Sequence, residues 1–176
     1  MTAPAIREAR PDDAEAIACL HSASWRAAYR GLYSDPFLDE EAEAYNLERW
    51  RHRFAELHPA RWVTFLAETD GRLDGFACIL TDISPEWGPL LDNLHIRPAM
   101  RGRGLGRLLI SKAAGWVAQR NPDAPLQLLV YEANEEARSF YERLGGKPAE
   151  RLEADLPGGG SAIQLRYVWP RAAELA

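Results

Sequence analysis

The stretch from Leu90 to Trp116 limits what this chain can fold into more than any other. An apolar run suited to a strand, Leu90 to Ile96, leads into the turn Arg101-Gly102-Arg103-Gly104-Leu105-Gly106-Arg107. Leu105, Leu108, Leu109, Ala113, Trp116 and Val117 then recur on one side of a helical pattern. Strand, glycine-rich turn and helix, in that order, build an anion cradle. Glycine has no Cβ, so backbone N–H groups can converge on a phosphate. The helix start adds N–H groups without intrahelical partners and a positive dipole end. Arg101, Arg103 and Arg107 supply charge around the turn. Three glycines in five residues would cost helix stability unless the backbone needed them.

Spacing separates the families that use this plan. A Walker loop ends in Gly-Lys-Ser/Thr, which is absent. A dinucleotide fingerprint counted from Gly102 would need glycine where Arg107 stands, and Asp123 precedes the next strand instead of ending it. What stands is Arg101-x-x-Gly104-x-Gly106 directly after a strand ending in Ile96-Arg97-Pro98. This resembles the pyrophosphate loop of the GNAT-family N-acetyltransferases, Gln/Arg-x-x-Gly-x-Gly/Ala between a strand and a long helix. A second block, Asn134-x-x-Ala137-x-x-Phe140-Tyr141-x-x-x-Gly145, follows the strand Leu126 to Tyr131. It resembles the family's Asn-x-x-Ala-x-x-aromatic-Tyr-x-x-x-Gly. The family's usual aromatic after that glycine is here Gly146.

The rest of the chain reads in order. Ala5 to Ala9 suits a short strand. Pro11-Asp12-Asp13 opens a helix that runs past Trp25 to Ala28 and stops before Gly31. Asp39 is a suitable cap for a second helix to about Leu57. Arg61 to Glu68 and Leu73 to Ile83 flank the hairpin signal Asp70-Gly71. A loop, 84–89, leads to the central strand. Asn121-Pro122 breaks the long helix, a shorter helix spans Asn134 to Leu144, and Lys147 to Leu152 and Ile163 to Trp169 form a last hairpin. The order β-α-α-β-β-β-α-β-α-β-β matches the GNAT topology along nearly the whole chain. The resemblance implies an α/β fold with a central mixed sheet, splayed central strands and about four flanking helices, as one domain over 1–176.

At 176 residues the chain can bury a real core. A net charge of −5 disfavours nucleic acid or an acidic membrane as a general partner. The local basic patch at 97–107 suits a small phosphorylated ligand better. Cys19 and Cys78 lack CxxC spacing and read as small core residues in a reduced compartment. His21, His52, His58 and His95 form no metal-ligand pattern with them, so no metal is expected. No long apolar segment marks a leader or a membrane span, and a cytoplasmic location is expected.

By the resemblance, acetyl-CoA is the co-substrate, with its pyrophosphate on residues 102–107 and its pantetheine arm beside Leu94, His95 and Ile96, supported by Asn134. A backbone N–H near Leu94 or His95 would polarise the thioester carbonyl. Tyr141 becomes the general acid for the leaving thiolate. Tyr141 also shares a stripe with Ala137, Phe140 and Leu144, which alone would mean core. Asp92 or His95 could take a proton from the acceptor amine; strict alternation puts the two on opposite faces, unless a bulge intervenes. Glu86 with a water chain is a third choice. Trp25, Tyr29, Tyr33 and Glu86 are substrate-side candidates. Direct transfer to a primary amine of a small molecule or peptide needs no covalent enzyme intermediate, so neither cysteine is assigned as nucleophile. The other reading is a catalytically idle acyl-CoA-binding sensor on the same fold. The chain could be a monomer or a homodimer, and the acceptor itself is not readable.

Overall fold

The computed structural model describes residues 3–176. Seven strands form one mixed sheet in the order β1-β2-β3-β4-β5-β7-β6. They are β1 (Ala5–Glu8), β2 (Trp62–Thr69), β3 (Arg72–Leu80), β4 (Leu90–Ile96), β5 (Leu126–Tyr131), β6 (Lys147–Asp155) and β7 (Ser161–Trp169). Four α-helices flank it: α1 (Ala14–Ala28), α2 (Ala42–Glu56), α3 (Leu105–Arg120) and α4 (Glu135–Arg143). Every strand pair is antiparallel except β4–β5. A parallel pair needs a crossover, and α3 supplies it.

The two faces have separate cores. Ile17, Ala18 and Leu20 of α1 pack with Trp50 of α2 against Leu66, Phe76 and Cys78. Leu109, Ile110, Ala113 and Val117 of α3 pack against Phe65, Ala77, Ile79 and Leu128 on the opposite face. β2 and β3 are therefore covered on both sides, which is why they read as nearly unbroken apolar runs. The Asp70-Gly71 turn has both central residues at positive φ, 51° and 75°, as a tight two-residue hairpin requires.

Three local expectations are corrected. Asp39 does not cap α2; residues Phe37–Glu41 form a π turn that runs straight into the helix, and Asp39 pairs with Arg30 on the surface. Strand β3 stops at Leu80 because Asp82 takes φ 58°, which ends extended pairing three residues before Ile83. Cys19 is exposed, since it falls on the outer side of α1, while Cys78 is buried as expected.

The seam between β4 and β5 sets up everything that follows. Only Leu90 with Gln127 and Leu91 with Leu128 are paired across it. Beyond Leu91 the main chain of β4 has no strand partner on that side, and the strands diverge.

Candidate active site

At the residue where the seam opens, β4 carries a bulge. Leu91 lies opposite Ile79 and Asn93 opposite Cys78, the next residue along β3, so Asp92 is the extra residue. The bulge turns Asp92 toward α2. Arg53 of α2 donates to Asp92 Oδ2 at 2.8 Å and to Asn93 Oδ1 at 3.3 Å. His95 pairs with Phe76 and stacks against it on that same face. Asp92 and His95 therefore share the α1/α2 face, and the alternation that would separate them is broken by one residue.

A cavity of about 720 Å³ fills the open seam. One half is lined by Arg101, Gly102, Gly104, Leu105, Gly106 and Arg107. Gly102 and Gly104 hold φ of 73° and 80°, a conformation that disfavours any Cβ although open space surrounds both. No side chain caps α3, so the first-turn N–H groups at Leu105, Gly106 and Arg107 have no acceptor within the helix. A cradle without its own acceptor fits a pyrophosphate. Arg103 is exposed and outside the lining.

Asn134 lies on the cavity wall between the halves. Its Oδ1 accepts from the Ala137 N–H at 3.1 Å and so caps α4. That cap aims the next turn of α4, which places Phe140 against Gly106 and Tyr141 on the cavity wall. The Tyr141 ring is buried between Phe140 and Trp169, and burial with Tyr29 nearby pushes its phenol above the usual range. Gly146 is explained by the same packing. A Cβ there would lie 2.7 Å from Trp169, whose indole covers the glycine and donates to the Leu144 carbonyl at 2.9 Å. The aromatic missing after Gly145 in sequence is thus supplied by β7.

The other half of the cavity is aromatic. Trp25, Tyr29 and Tyr33 line it, with Tyr45 of α2 and Tyr131 of β5. Tyr33 and Tyr131 share a hydrogen bond between hydroxyls at 2.9 Å, and Tyr29 meets Tyr131 edge to face. Burial, with Tyr131 close by, pushes the Tyr29 phenol up to about 12. Glu86 is exposed and not part of the lining. Its loop is tied to the closed end of the seam, where Gln127 donates to the Gly88 carbonyl at 2.8 Å. The seam opens in the other direction, so Glu86 is removed from the substrate-side set.

Behind Asp92 and His95 lies a polar cluster absent from the expected set. His95 Nδ1 is 2.9 Å from Ser24 Oγ, and its ring centroid is 4.3 Å from that of His21. Trp50 Nε1 donates to His21 Nδ1 at 3.2 Å. Burial, against the opposing pull of Asp92, pushes the His95 imidazole down to about 4. Burial also holds His21 well below the usual histidine range. Both rings are neutral near pH 7. The signal that could have found this cluster was His21 and Ser24 on one helix, three residues apart. Among the described residues no group of three or more His, Cys, Asp or Glu could hold a metal ion, and no helix is long and apolar enough to cross a membrane.

The chain is similar to known proteins in sequence and in fold. The model of the Acetyltransferase (GNAT) family matches residues 21–146. A 5-NmdU N-acetyltransferase of Pseudomonas phage PaMx11 is 29% identical over 166 residues, covering 93% of this chain and 98% of that protein. A mycothiol acetyltransferase of Rhodococcus jostii is 34% identical over 146 residues, 73% of this chain and 46% of that one. The PaiA N-acetyltransferase of Thermoplasma acidophilum, solved in complex with coenzyme A, shares the fold with a TM-score of 0.69 at 20% identity, covering 94% of this chain and 98% of that structure. With an anion cradle, an open parallel seam and a family match over most of its length, this chain belongs to the GNAT acetyltransferase family and is an acyltransferase.

Proposed function

We propose that the protein is an acetyl-CoA-dependent N-acetyltransferase that passes the acetyl group directly to a primary amine in a ternary complex. The observation that carries this reading is the open seam, which has the uncapped start of α3 on one side and Tyr141 on the same cavity wall. The residues present suit coenzyme A. The N–H groups of 102–107 would hold the pyrophosphate, with Arg101 and Arg107 adding charge. The unpartnered main chain of β4 at Leu94, His95 and Ile96 would pair with the peptide-like pantetheine arm as an added strand. When bound, acetyl-CoA supplies the thioester carbon that the amine attacks.

The chain's own residues then do three things. A β4 N–H near Leu94 or His95 donates to the thioester oxygen as it gains charge, worth about 3 kcal/mol. Tyr141, kept protonated by burial, delivers its proton to the sulfur as the C–S bond breaks. The proton of the acceptor ammonium leaves toward Asp92 and His95. His95 is neutral at pH 7 and so offers an unprotonated ring nitrogen, although burial that lowers it to about 4 makes it a weak base, and Asp92 is held in place by Arg53.

Release of coenzyme A from acetyl-CoA, measured against a panel of amines with wild type and Tyr141→Phe side by side, tests the reading. Turnover with at least one amine class, strongly reduced in the variant, is expected. Binding of acetyl-CoA without turnover of any amine would favour an idle acyl-CoA sensor.

A further inference from the structure

Besides the arginines of the phosphate cradle, the cavity is lined by Arg49 of α2 and Arg143 of α4, and Arg49 is the one that rests on an aromatic of the acceptor wall. Tyr45, Arg49 and Arg53 are spaced by four along α2 and so share a face. All the cavity-side chemistry of α2 lies on that stripe. Arg53, at the inner end, is already committed to Asp92. Arg49 is one helical turn further out, a rise of about 6 Å. It lines the cavity and rests over the Tyr45 ring at 5.6 Å.

Arg49 has no carboxylate within ion-pair distance among the described residues. Its helix explains this. The positions three and four residues away are Tyr45, Asn46, His52 and Arg53, none acidic. Other arginines of α1 and α2 do find acids: Arg26 pairs with Glu43, Arg51 with Glu15 and Arg53 with Asp92. The Arg49 charge is felt inside the cavity, where it helps keep both His95 and His21 neutral. Two carboxylates also line this half: Asp92, neutralised by Arg53, and the exposed Asp155 on β6. Next to the aromatic wall Arg49 thus offers an exposed guanidinium with no carboxylate partner among the described residues, about one helical turn along α2 from the Arg53 that holds Asp92.

Resting on the N-acetyltransferase reading above, we propose that the acceptor is an amine that also bears an anionic group, a carboxylate or a phosphate, and that Arg49 binds that group and sets the specificity. The amine end faces Asp92 and His95, the anion faces Arg49, and the aromatic wall takes the rest of the molecule. A planar guanidinium accepts either anion through paired N–H groups.

The test uses matched pairs of acceptors that differ only in the anion. Amino acids of graded size are compared with their decarboxylated amines, such as phenylalanine with phenethylamine, and O-phosphoethanolamine with ethanolamine. Wild type should favour the anionic member of the carboxylate or the phosphate series by about tenfold or more in kcat/KM, the size of a charge-assisted hydrogen bond. The series that shows the preference identifies the anion. Arg49→Gln should collapse the ratio toward one, chiefly through KM. Arg49→Lys should restore part of it, and Arg49→Glu should reverse it. Turnover of the plain amines with no preference, or a preference unmoved by Arg49→Gln, overturns the role of Arg49 while the acetyltransferase reading stands. No coenzyme A release with any amine overturns both.

Discussion

Arg53 Nη2 and Asp92 Oδ2 lie 2.8 Å apart, with only 12% and 20% of their side chains exposed. The pair fixes the bulge of β4 to α2. Removing one partner leaves a desolvated charge. Arg53→Met should therefore destabilise the protein by about 2–4 kcal/mol. The double variant Arg53→Met/Asp92→Leu should recover much of that loss. Urea unfolding of Arg53→Met, Asp92→Leu and the double variant checks the cycle; a loss under about 0.5 kcal/mol for Arg53→Met would mean the pair is solvated and idle.

Tyr141 has a phenol raised by burial and by Tyr29, so it stays protonated beyond the ordinary phenol range. Its loss as an acid should not limit kcat below about pH 10. Tyr141→Phe should lower kcat by about 10²–10⁴ and change coenzyme A affinity by less than about threefold. A rate profile with steady-state turnover and calorimetric titration of coenzyme A separates the two effects. An equal fall in both would make Tyr141 a packing residue.

Gly104 sits at φ 80° with open space where a Cβ would be. Substitution acts through the backbone alone. Gly104→Ala should cost about 1–2 kcal/mol of loop conformation and weaken coenzyme A binding about tenfold. Gly104→Asn should be milder, because asparagine tolerates left-handed conformation better. Calorimetry on the two variants checks the ranking; Ala binding as tightly as Asn would show that the cradle does not need this conformation.

His95 is depressed to about 4 and His21 lies well below its ordinary value, whereas in the unfolded chain both titrate near 6.5. Between those limits the unfolded state binds more protons than the native state. Stability is thus fully present above about pH 6.5 and lost as pH falls toward 4. Each ring adds about 1.4 kcal/mol per pH unit to the slope. Denaturation midpoints between pH 7 and 4.5 should show the decline, and His95→Asn should remove about half of it. If His95 takes the amine's proton, the acid limb of kcat/KM lies well below pH 6.5.

The cradle and the Asn134–Tyr141 block were legible because each is a contiguous run whose spacing alone carries the geometry. The element order was legible for a similar reason: periodicity and the Gly and Pro breaks are local. What escaped depends on distant residues. Arg53 and Asp92 are 39 positions apart, and Tyr33 and Tyr131 are 98 apart. The bulge left no mark in LLDNLHI, so alternation alone put Asp92 and His95 on opposite faces, and it was the allowance for a bulge that matched the pairing found. Glu86 was misplaced because nothing in 84–89 says toward which end of the seam the loop folds. Contacts with distant residues decide that, among them the hydrogen bonds from Gln127 to the Gly88 and Pro89 carbonyls. Cys19 was misjudged because a small apolar-like residue on a helix gives no sign of its side when the alanines around it lie on both sides, Ala14 and Ala18 buried and Ala16 and Ala23 exposed.

The two residue pairs between β4 and β5 leave the sheet like a zip fastened only at its base. The first four strands and the last three are joined along that line by little backbone bonding, and α3 bridges the gap. An amide-bearing guest laid into the opening would act as the missing teeth, so the guest is as much a part of the finished architecture as any strand. The empty protein should be mechanically softest along this line. Coenzyme A at a hundred times its dissociation constant should stiffen it and add about 2.7 kcal/mol of stability. Amide exchange at Leu94 to Ile96 should then slow far more than exchange in β2 or β3, where both neighbours are already in place.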